Sequence, residues 1–160
     1  MLKILIAEDD GELRQLFSHV LTKNGYAVCG VSDGQEALDA MQSDYFDLII
    51  SDIMMPRVDG YELVCRLRTG GNQTPVLMIT AKDAFDDMQR GFLSGTDDYM
   101  VKPINVNEMV LRVGALLRRS HPLTPPGGST SARRARIFLI AILPAMSRAA
   151  ASWRQTSLPL

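Results

Sequence analysis

The sequence predicts an α/β fold in which a parallel sheet carries helices on both faces. Five short apolar runs alternate with segments of helical periodicity, and the runs are apolar enough for strands buried on both sides. Charged or hydroxyl side chains stand at the ends of four runs, where the carboxyl ends of parallel strands would meet. This alternation predicts five βα units joined by right-handed crossovers.

Each predicted strand ends at a turn or a charge, and the strands cover residues 2–7, 26–31, 47–51, 75–80 and 97–101. The first helix is predicted from an apolar stripe at helical spacing, formed by Leu13, Leu16, Phe17, Val20 and Leu21. Asn24-Gly25 ends that helix, because these residues favour the backbone conformation of a helix C-terminus.

Capping signals mark the starts of two further helices. Asp33 with Glu36, and Asn105 with Glu108, have the three-residue spacing of a capping box and predict the starts of the second and the last helix. The inner stripe of the last helix is formed by Val106, Val110, Val113 and Leu117. The remaining predicted helices cover residues 61–69 and 85–93.

The chain divides near residue 120 into two parts of different composition. The first 120 residues carry 12 basic and 18 acidic side chains, a net charge of −6, whereas the last 40 carry five arginines and no acid. We therefore predict one domain over residues 1–119, followed by a linker and a non-domain tail over residues 120–160.

Composition and cysteine placement favour a soluble cytoplasmic protein. The hydrophobic fraction of 46% is sufficient for a core, and Met1-Leu2-Lys3 leads directly into a strand, unlike a signal peptide. Cys29 and Cys65 lack the spacing of metal ligands, so both are predicted to be small buried hydrophobes.

The side chains at the strand ends indicate a site for phosphoryl transfer. Glu8, Asp9 and Asp52 would form a cluster of carboxylates that needs a divalent cation, and their hard oxygen ligands suit Mg²⁺. A carboxylate can accept a phosphoryl group while Lys102 offsets the charge and the Thr80 hydroxyl donates a hydrogen bond. The alternative interpretation is that the acids cap helices and that Lys102 is a surface charge.

Five motifs stand in order along the chain: Glu8-Asp9-Asp10, the run at residues 47–56, Asp59-Gly60, Thr80-Ala81 and the run at residues 98–103. Their order and spacing closely resemble the receiver domain of two-component response regulators, over residues 1–119. The resemblance implies a flavodoxin-like sheet with strand order 2-1-3-4-5. It also implies a signalling protein rather than an enzyme, whose only catalysis is its own phosphorylation and dephosphorylation.

The resemblance assigns roles to residues at the strand ends. It implies that Asp52 is the phosphoacceptor and that Lys102 pairs with Asp52 and the phosphoryl oxygens. Asp9 would bind Mg²⁺ directly and Glu8 through water. The backbone carbonyl of Met54 would be a further metal ligand.

The resemblance also implies a donor and a switch. The donor would be a phosphohistidine on a sensor histidine kinase. Thr80 would move to bond the phosphoryl group, and Tyr99 would rotate inward into the space that Thr80 leaves. The peptide bond from Lys102 to Pro103 would be cis, as in the family.

The end of the domain resembles the OmpR/PhoB-type transcription factors, whose receivers dimerise through their fourth helix, fifth strand and fifth helix. The ion pairs of that interface would involve Asp97, Asp98, Glu108, Arg112 and Arg119. Met88 stands where a basic partner of Glu108 is usual, so one pair is missing. Exposed pairs contribute only about 0.2–1 kcal/mol each, so a phosphorylation-dependent homodimer is still expected, and solvated charges are the alternative.

The last 40 residues are too few for the winged-helix DNA-binding domain that usually follows in this branch. Residues 122–131 read as a linker, and the apolar run at residues 137–146 is too short for a membrane span. We expect a poorly ordered tail from a frameshifted or truncated reading frame. A membrane-surface or nucleic-acid arm is the alternative.

Two classes of function follow from the sequence. The leading one is a phosphorylation-controlled receiver whose transcriptional output, and with it DNA binding, is missing from this chain. The second is a standalone receiver that acts by protein contact in a phosphorelay or motility pathway. An aspartate-nucleophile phosphatase is disfavoured, because Met54 stands where such enzymes need a second acid.

Overall fold

The computed structural model describes residues 1–81 and 95–121 of the chain. In these residues five strands alternate with four helices, with bounds β1 Lys3–Ala7, α1 Gly11–Lys23, β2 Ala27–Val31, α2 Gly34–Ser43, β3 Leu48–Asp52, α3 Gly60–Thr69, β4 Val76–Thr80, β5 Asp98–Val101 and α4 Val106–Ser120. The helix predicted at residues 85–93 and the predicted tail lie outside the described residues. None of the helices described has the length and apolarity needed to cross a membrane.

The strands form one parallel sheet in the order β2-β1-β3-β4-β5. The register places Ala7 beside Ser51 and Thr80 beside Val101. The carboxyl ends of the central strands β1, β3 and β4 and of the edge strand β5 therefore lie along one edge of the sheet. The predicted fold class and strand order are confirmed.

The core consists of two clusters, one on each face of the sheet. Alternate residues of β1 face opposite sides: Ile4 and Ile6 belong to one cluster, Leu5 and Ala7 to the other. The first cluster is closed by buried residues of α1 and α4, and the second by those of α2 and α3. This sandwich holds the strand ends, and the side chains that follow them, in fixed positions.

Local caps define the helix ends largely as predicted. Asn24 is the C-cap of α1, and Gly25 follows it with φ of 87°. The Asp33 carboxylate accepts the Glu36 N–H at 2.9 Å. The Glu36 carboxylate, however, accepts the N–H of Ser32 at 2.8 Å rather than that of Asp33, so the reciprocal half of the capping box is displaced by one residue.

Two predictions for the core need correction. Leu16 is 45% exposed, because it lies roughly 100° around α1 from the buried Phe17, at the margin of the apolar stripe. Cys65 is exposed, because α3 buries Leu63, Val64 and Leu67, which turns the intervening Cys65 outward. Cys29 is half-buried.

The last helix turns the predicted stripe toward the core and buries two further residues beside it. Its fully buried residues are Met109, Val113, Leu116 and Leu117. Val106 and Val110 only pack against the edge of the cluster. All four predicted positions therefore lie in or against the first cluster, and Met109 and Leu116 widen the buried face of the helix.

Candidate functional site

Three carboxylates meet at the carboxyl edge of the sheet. Glu8 and Asp9 follow β1, and Asp52 is the last residue of β3. One oxygen from each carboxylate lies within 4.8 Å of the others. Glu8 is 1% exposed and Asp52 is 5% exposed, whereas Asp9 faces solvent. The arrangement concentrates negative charge where little water can screen it.

Lys102 brings a positive charge to the same place. Its backbone N–H donates to the Thr80 carbonyl at 2.7 Å, which continues the pairing of β4 and β5 beyond the last strand residue. Its Nζ lies 2.8 Å from Asp52 Oδ2 and 3.3 Å from Glu8 Oε2. The peptide bond to Pro103 is cis, as the resemblance implied.

The charges at this edge shift the pKa values of Lys102 and Glu8. Burial lowers the pKa of Lys102, but the hydrogen bond and charge of Asp52, with the charge of Glu8, outweigh it and raise that pKa overall. Burial, followed by repulsion from Asp52, raises the pKa of Glu8 from 4.5 to about 7. Glu8 is therefore only partly ionised near neutral pH.

One oxygen of Glu8 is left without a hydrogen bond. Oε1 accepts the N–H of Asp10 at 3.1 Å. Oε2 is buried and has no hydrogen-bond partner among the described residues, and its nearest charge is the Lys102 ammonium, an ion pair at 3.3 Å. An unsatisfied buried carboxylate oxygen is costly. Beside Asp9 and Asp52, this oxygen has the chemistry of a ligand for a hard divalent cation such as Mg²⁺.

The chain turns sharply after Asp52. The N–H of Met54 points toward Asp52 Oδ1 at 3.4 Å, and its side chain lies in solvent. Gly60 returns to the strand end, where its N–H donates to the Ile53 carbonyl at 2.9 Å. A Cβ at Gly60 would overlap the Asp52 carbonyl oxygen, which explains the glycine after Asp59. The proposed role of the Met54 carbonyl stays a prediction.

Thr80 and Tyr99 lie on adjacent strands beside this cluster. Thr80 is 3% exposed, and its hydroxyl donates to the Ala81 carbonyl at 3.2 Å. Tyr99 pairs with Met78 across β4 and β5 and belongs to the α2/α3 side of the core. It is 9% exposed, so its ring is largely buried in the described structure.

Arg14 contributes to the site, and the sequence interpretation did not foresee it. Its Nη1 donates to the Glu8 carbonyl at 2.6 Å, and its side chain packs over Gly30, whose Cβ would meet it at 3.2 Å. The guanidinium therefore holds the backbone of the acidic pair. An arginine one turn into the helix that follows the acids was the only signal.

The structure divides the residues predicted for the dimer face into two groups. Within one chain, Arg112 pairs with Asp98 at 2.9 Å and with Glu108 at 2.8 Å. Asp97 instead accepts from Arg68 at 3.0 Å and from the Val76 N–H at 2.8 Å. Arg119 and Asp97 line a common cavity of about 260 Å³. Met88 lies outside the described residues.

Comparison with known proteins defines the class. The response regulator receiver domain family matches residues 4–114, and the chain belongs to that family. It is thus the receiver domain of a two-component response regulator, as the motifs predicted. This assignment accounts for the acidic cluster and the lysine at one edge of the sheet.

The chain is similar to particular regulators over part of their length. Response regulator MprA of Mycolicibacterium vanbaalenii is 40% identical over 129 residues, covering 81% of this chain and 56% of the relative. MprA of Mycobacterium tuberculosis is 42% identical over 120 residues, covering 75% and 52%. The chain therefore spans little more than half the length of these curated relatives.

Solved structures match the whole receiver fold. The receiver domain of Francisella response regulator 1452 has a TM-score of 0.72 at 35% identity, covering 75% of this chain and 99% of that one. The Vibrio cholerae chemotaxis protein CheY4 has a TM-score of 0.69 at 36% identity, covering 72% and 98%. Both contain the fold described above.

Proposed function

We propose that this receiver accepts a phosphoryl group on Asp52 from a phosphohistidine of a sensor histidine kinase. One observation carries the proposal: a buried carboxylate at the end of β3 lies 2.8 Å from the Lys102 ammonium. Glu8 and Asp9 lie beside the pair. A structural ion pair would not need two further acids at the same edge.

In the proposed reaction an oxygen of Asp52 attacks phosphorus, and an aspartyl phosphate forms. The phosphorus–nitrogen bond to the kinase histidine breaks, and its electron pair leaves with the imidazole. Lys102 offsets the negative charge on the phosphoryl oxygens. The Thr80 hydroxyl, now bonded to the Ala81 carbonyl, would exchange that partner for a phosphoryl oxygen.

The same acids would hold Mg²⁺. Asp9 and Asp52 would bind it directly, Glu8 through water, and the Met54 carbonyl would complete the protein ligands. The buried, unsatisfied Oε2 of Glu8 supports this fit. A bound cation would neutralise the carboxylates and the incoming phosphoryl charge. Glu8 would then be held in its ionised form.

We further propose that Thr80 and Tyr99 form a two-state switch. Movement of Thr80 toward a phosphoryl group would open space on the inner side of Tyr99. Tyr99 is only 9% exposed already, so the expected change is a redistribution between rotamers rather than a large burial. Thr80→Ala should accept phosphate without a change at Tyr99, as read by NMR of the ring.

The proposed output is control of homodimerisation in a regulator of transcription, of the OmpR/PhoB type. The similarity to MprA over the receiver part supports this class. DNA binding would belong to an output domain outside the receiver. A second candidate is a receiver that acts by protein contact alone. It is favoured by the match to 98% of the chemotaxis protein CheY4.

Phosphoryl uptake from phosphoramidate, a small donor with a phosphorus–nitrogen bond, tests the central proposal. Intact-mass spectrometry should show one added phosphoryl group with Mg²⁺ and none after chelation. Asp52→Asn should show no gain, and the matched variant Asp59→Asn should gain it as wild type does. Equal uptake by wild type and Asp52→Asn would refute the proposal.

A further inference from the structure

The loop between β3 and α3, residues 53–59, is fastened at its far end to the start of α2. The Gly34 N–H donates to the Val58 carbonyl at 3.1 Å. A Cβ at Gly34 would overlap that carbonyl oxygen, so the helix start and the loop are in direct contact. Arg57 Nε donates to Asp33 Oδ2 at 2.8 Å, and Nη2 contacts the same oxygen.

The two carboxylate oxygens of Asp33 make different contacts, one with the start of α2 and one with Arg57. Oδ1 accepts the Glu36 N–H at 2.9 Å and caps α2. Oδ2 takes the Arg57 guanidinium. The carboxylate is buried, whereas more than half of the Arg57 side chain is exposed. Because one member of the pair is buried, water and salt screen its attraction less than they screen the attraction between two exposed partners.

Arg57 has an unusual backbone conformation. Its φ is 65°, in the left-handed region, and it is the one non-glycine residue with positive φ in the described part of the chain. The Val58 N–H donates to the Pro56 carbonyl at 2.8 Å and closes a γ-turn around it. Such a turn is strained and persists where the surroundings hold it. The contacts with Asp33 and Gly34 are those surroundings.

The near end of the same loop belongs to the candidate site. The Ile53 N–H donates to the Ile79 carbonyl at 3.1 Å, and Met54 N–H points to Asp52. Only Met55 and Pro56 separate Met54 from Arg57 in the fastened turn. The position of the Met54 backbone is therefore set from both sides, by the sheet and by Arg57.

We propose that Asp33 and Arg57 are positioning residues for the metal site. They fix the loop so that the Met54 carbonyl and N–H stand correctly beside Asp52, and they thereby set the affinity for Mg²⁺. This inference rests on the proposed function, because it requires that the cation binds at Asp9 and Asp52. Neither residue touches the cation.

The alternative is that the pair stabilises the fold and nothing more. Arg57→Asn distinguishes positioning of the metal site from stabilisation of the fold. Asparagine tolerates the left-handed backbone conformation, but its short, uncharged side chain cannot form the ion pair with Asp33. Asp33→Asn keeps a side chain that can cap α2, and it removes the negative charge of the Asp33–Arg57 pair. Arg66→Asn is the matched control, since it breaks the exposed Arg66–Glu62 pair on α3, away from the loop.

The experiment is a Mg²⁺ titration of the whole chain, followed by the NMR shifts of the Asp9 and Met54 amides, with thermal unfolding measured in parallel. We expect Arg57→Asn and Asp33→Asn each to weaken Mg²⁺ binding about tenfold, the lower end of the loss seen for outer-shell partners of metal ligands, because the pair acts through the loop. The double variant should be no weaker than either single one. Arg57→Lys should restore part of the affinity, and Arg66→Asn should bind as wild type does.

The outcomes separate the two proposals. Wild-type affinity in Arg57→Asn, or equal weakening in Arg66→Asn, would overturn the positioning role while leaving the metal site intact. A fall in unfolding temperature without a change in affinity would also overturn it. If the wild-type protein shows no Mg²⁺ response at Asp9 and Met54, the proposed site itself fails, and the positioning role fails with it.

Discussion

At the scale of single residues, Glu8 is a buried acid whose surroundings oppose its ionisation. Its pKa is raised to about 7 by burial and by the charge of Asp52. A carboxyl group whose pKa is higher in the folded than in the unfolded state binds more protons when folded. Its contribution therefore makes the folded protein less stable as pH rises from about 4.5 through about 7.

Glu8→Gln should remove this penalty. Without metal, the variant should be more stable than wild type at pH 8, by on the order of 1–3 kcal/mol, and the advantage should vanish near pH 4. Excess Mg²⁺ should raise the unfolding temperature of wild type more at pH 8 than at pH 6, because the cation needs the ionised acid. Thermal unfolding with and without MgCl₂ measures both effects.

The control for Glu8→Gln is Glu12→Gln, which neutralises an exposed acid in the first turn of α1. It should change stability by a few tenths of a kcal/mol at most, without this pH dependence. If both variants follow the same pH profile, the burial of Glu8 is not the cause.

Lys102 should act in phosphoryl uptake rather than in metal binding. Lys102→Gln removes the ammonium between Asp52 and Glu8, so Mg²⁺ should bind at least as tightly, because a competing positive charge is gone. Uptake from phosphoramidate should nevertheless slow by at least about tenfold, since the charge that stabilises the phosphoryl oxygens is lost. Mass spectrometry of samples quenched at successive times would measure the rate of phosphoryl uptake.

Lys3→Gln is the matched control for Lys102→Gln. Lys3 pairs with Asp44 at the amino edge of the sheet, far along β1 from the site. It should leave the uptake rate unchanged. An uptake rate in Lys102→Gln equal to that of the control would contradict the proposed role.

At the scale of elements, helix and strand limits follow from short-range chemistry, and most were predictable. Apolar runs marked the five strands, and Asn105 marks the start of α4 through hydrogen bonds from Asn107 and Glu108 at 3.0 and 3.3 Å. The errors arose where packing selects among adjacent possibilities. The exposure of Leu16 and Cys65 depends on which face of each helix packs against the sheet.

The cap of α4 can be tested directly. Asn105→Ala should lower the free energy of unfolding by about 1 kcal/mol, because two N–H groups lose their acceptor. Asn107→Ala, in the first turn of the same helix, should be neutral or slightly stabilising, because alanine has the higher helix propensity. Urea unfolding followed by circular dichroism distinguishes the two. Equal losses would show that the hydrogen bonds of Asn105 contribute nothing specific.

The candidate site shows the same division between local and distant information. The acids at the ends of β1 and β3 and the lysine after β5 were visible in the sequence as neighbours, because parallel strands bring their carboxyl ends together. The contacts of Arg14 with the Glu8 carbonyl and of Arg57 with Asp33 were not. Arginines reach several residues away in space, and no local pattern tells which carbonyl or carboxylate they meet.

At the scale of the whole molecule, the proposed homodimer would form on β5 and α4. The charges predicted to join two subunits are engaged within one chain, with Arg112 bound to Asp98 and Glu108. An intersubunit pair would exchange one ion pair for another, so its net gain is small. Val101 and the 72% exposed Leu111 lie on the same two elements and offer apolar area for an interface.

Dimerisation should therefore depend more on Leu111 than on the ion pairs. With beryllofluoride and Mg²⁺ as a phosphoryl mimic, wild type should form dimers in sedimentation experiments, and Leu111→Asp should stay monomeric. Leu16→Asp is the control, because Leu16 is an exposed leucine on α1, a different helix. Dimers lost equally in both variants would contradict an interface at Leu111, and a wild type that never forms dimers would favour the receiver that acts by protein contact alone.

The most direct test of the central claim is to locate the phosphoryl group. The protein is treated with phosphoramidate and Mg²⁺, reduced with borohydride, which converts an aspartyl phosphate to homoserine, and mapped by peptide mass spectrometry. The account predicts homoserine at position 52 and aspartate retained at Asp9 and Asp59. Homoserine at another acid, or an unmodified Asp52 in protein that has gained phosphate, would contradict it.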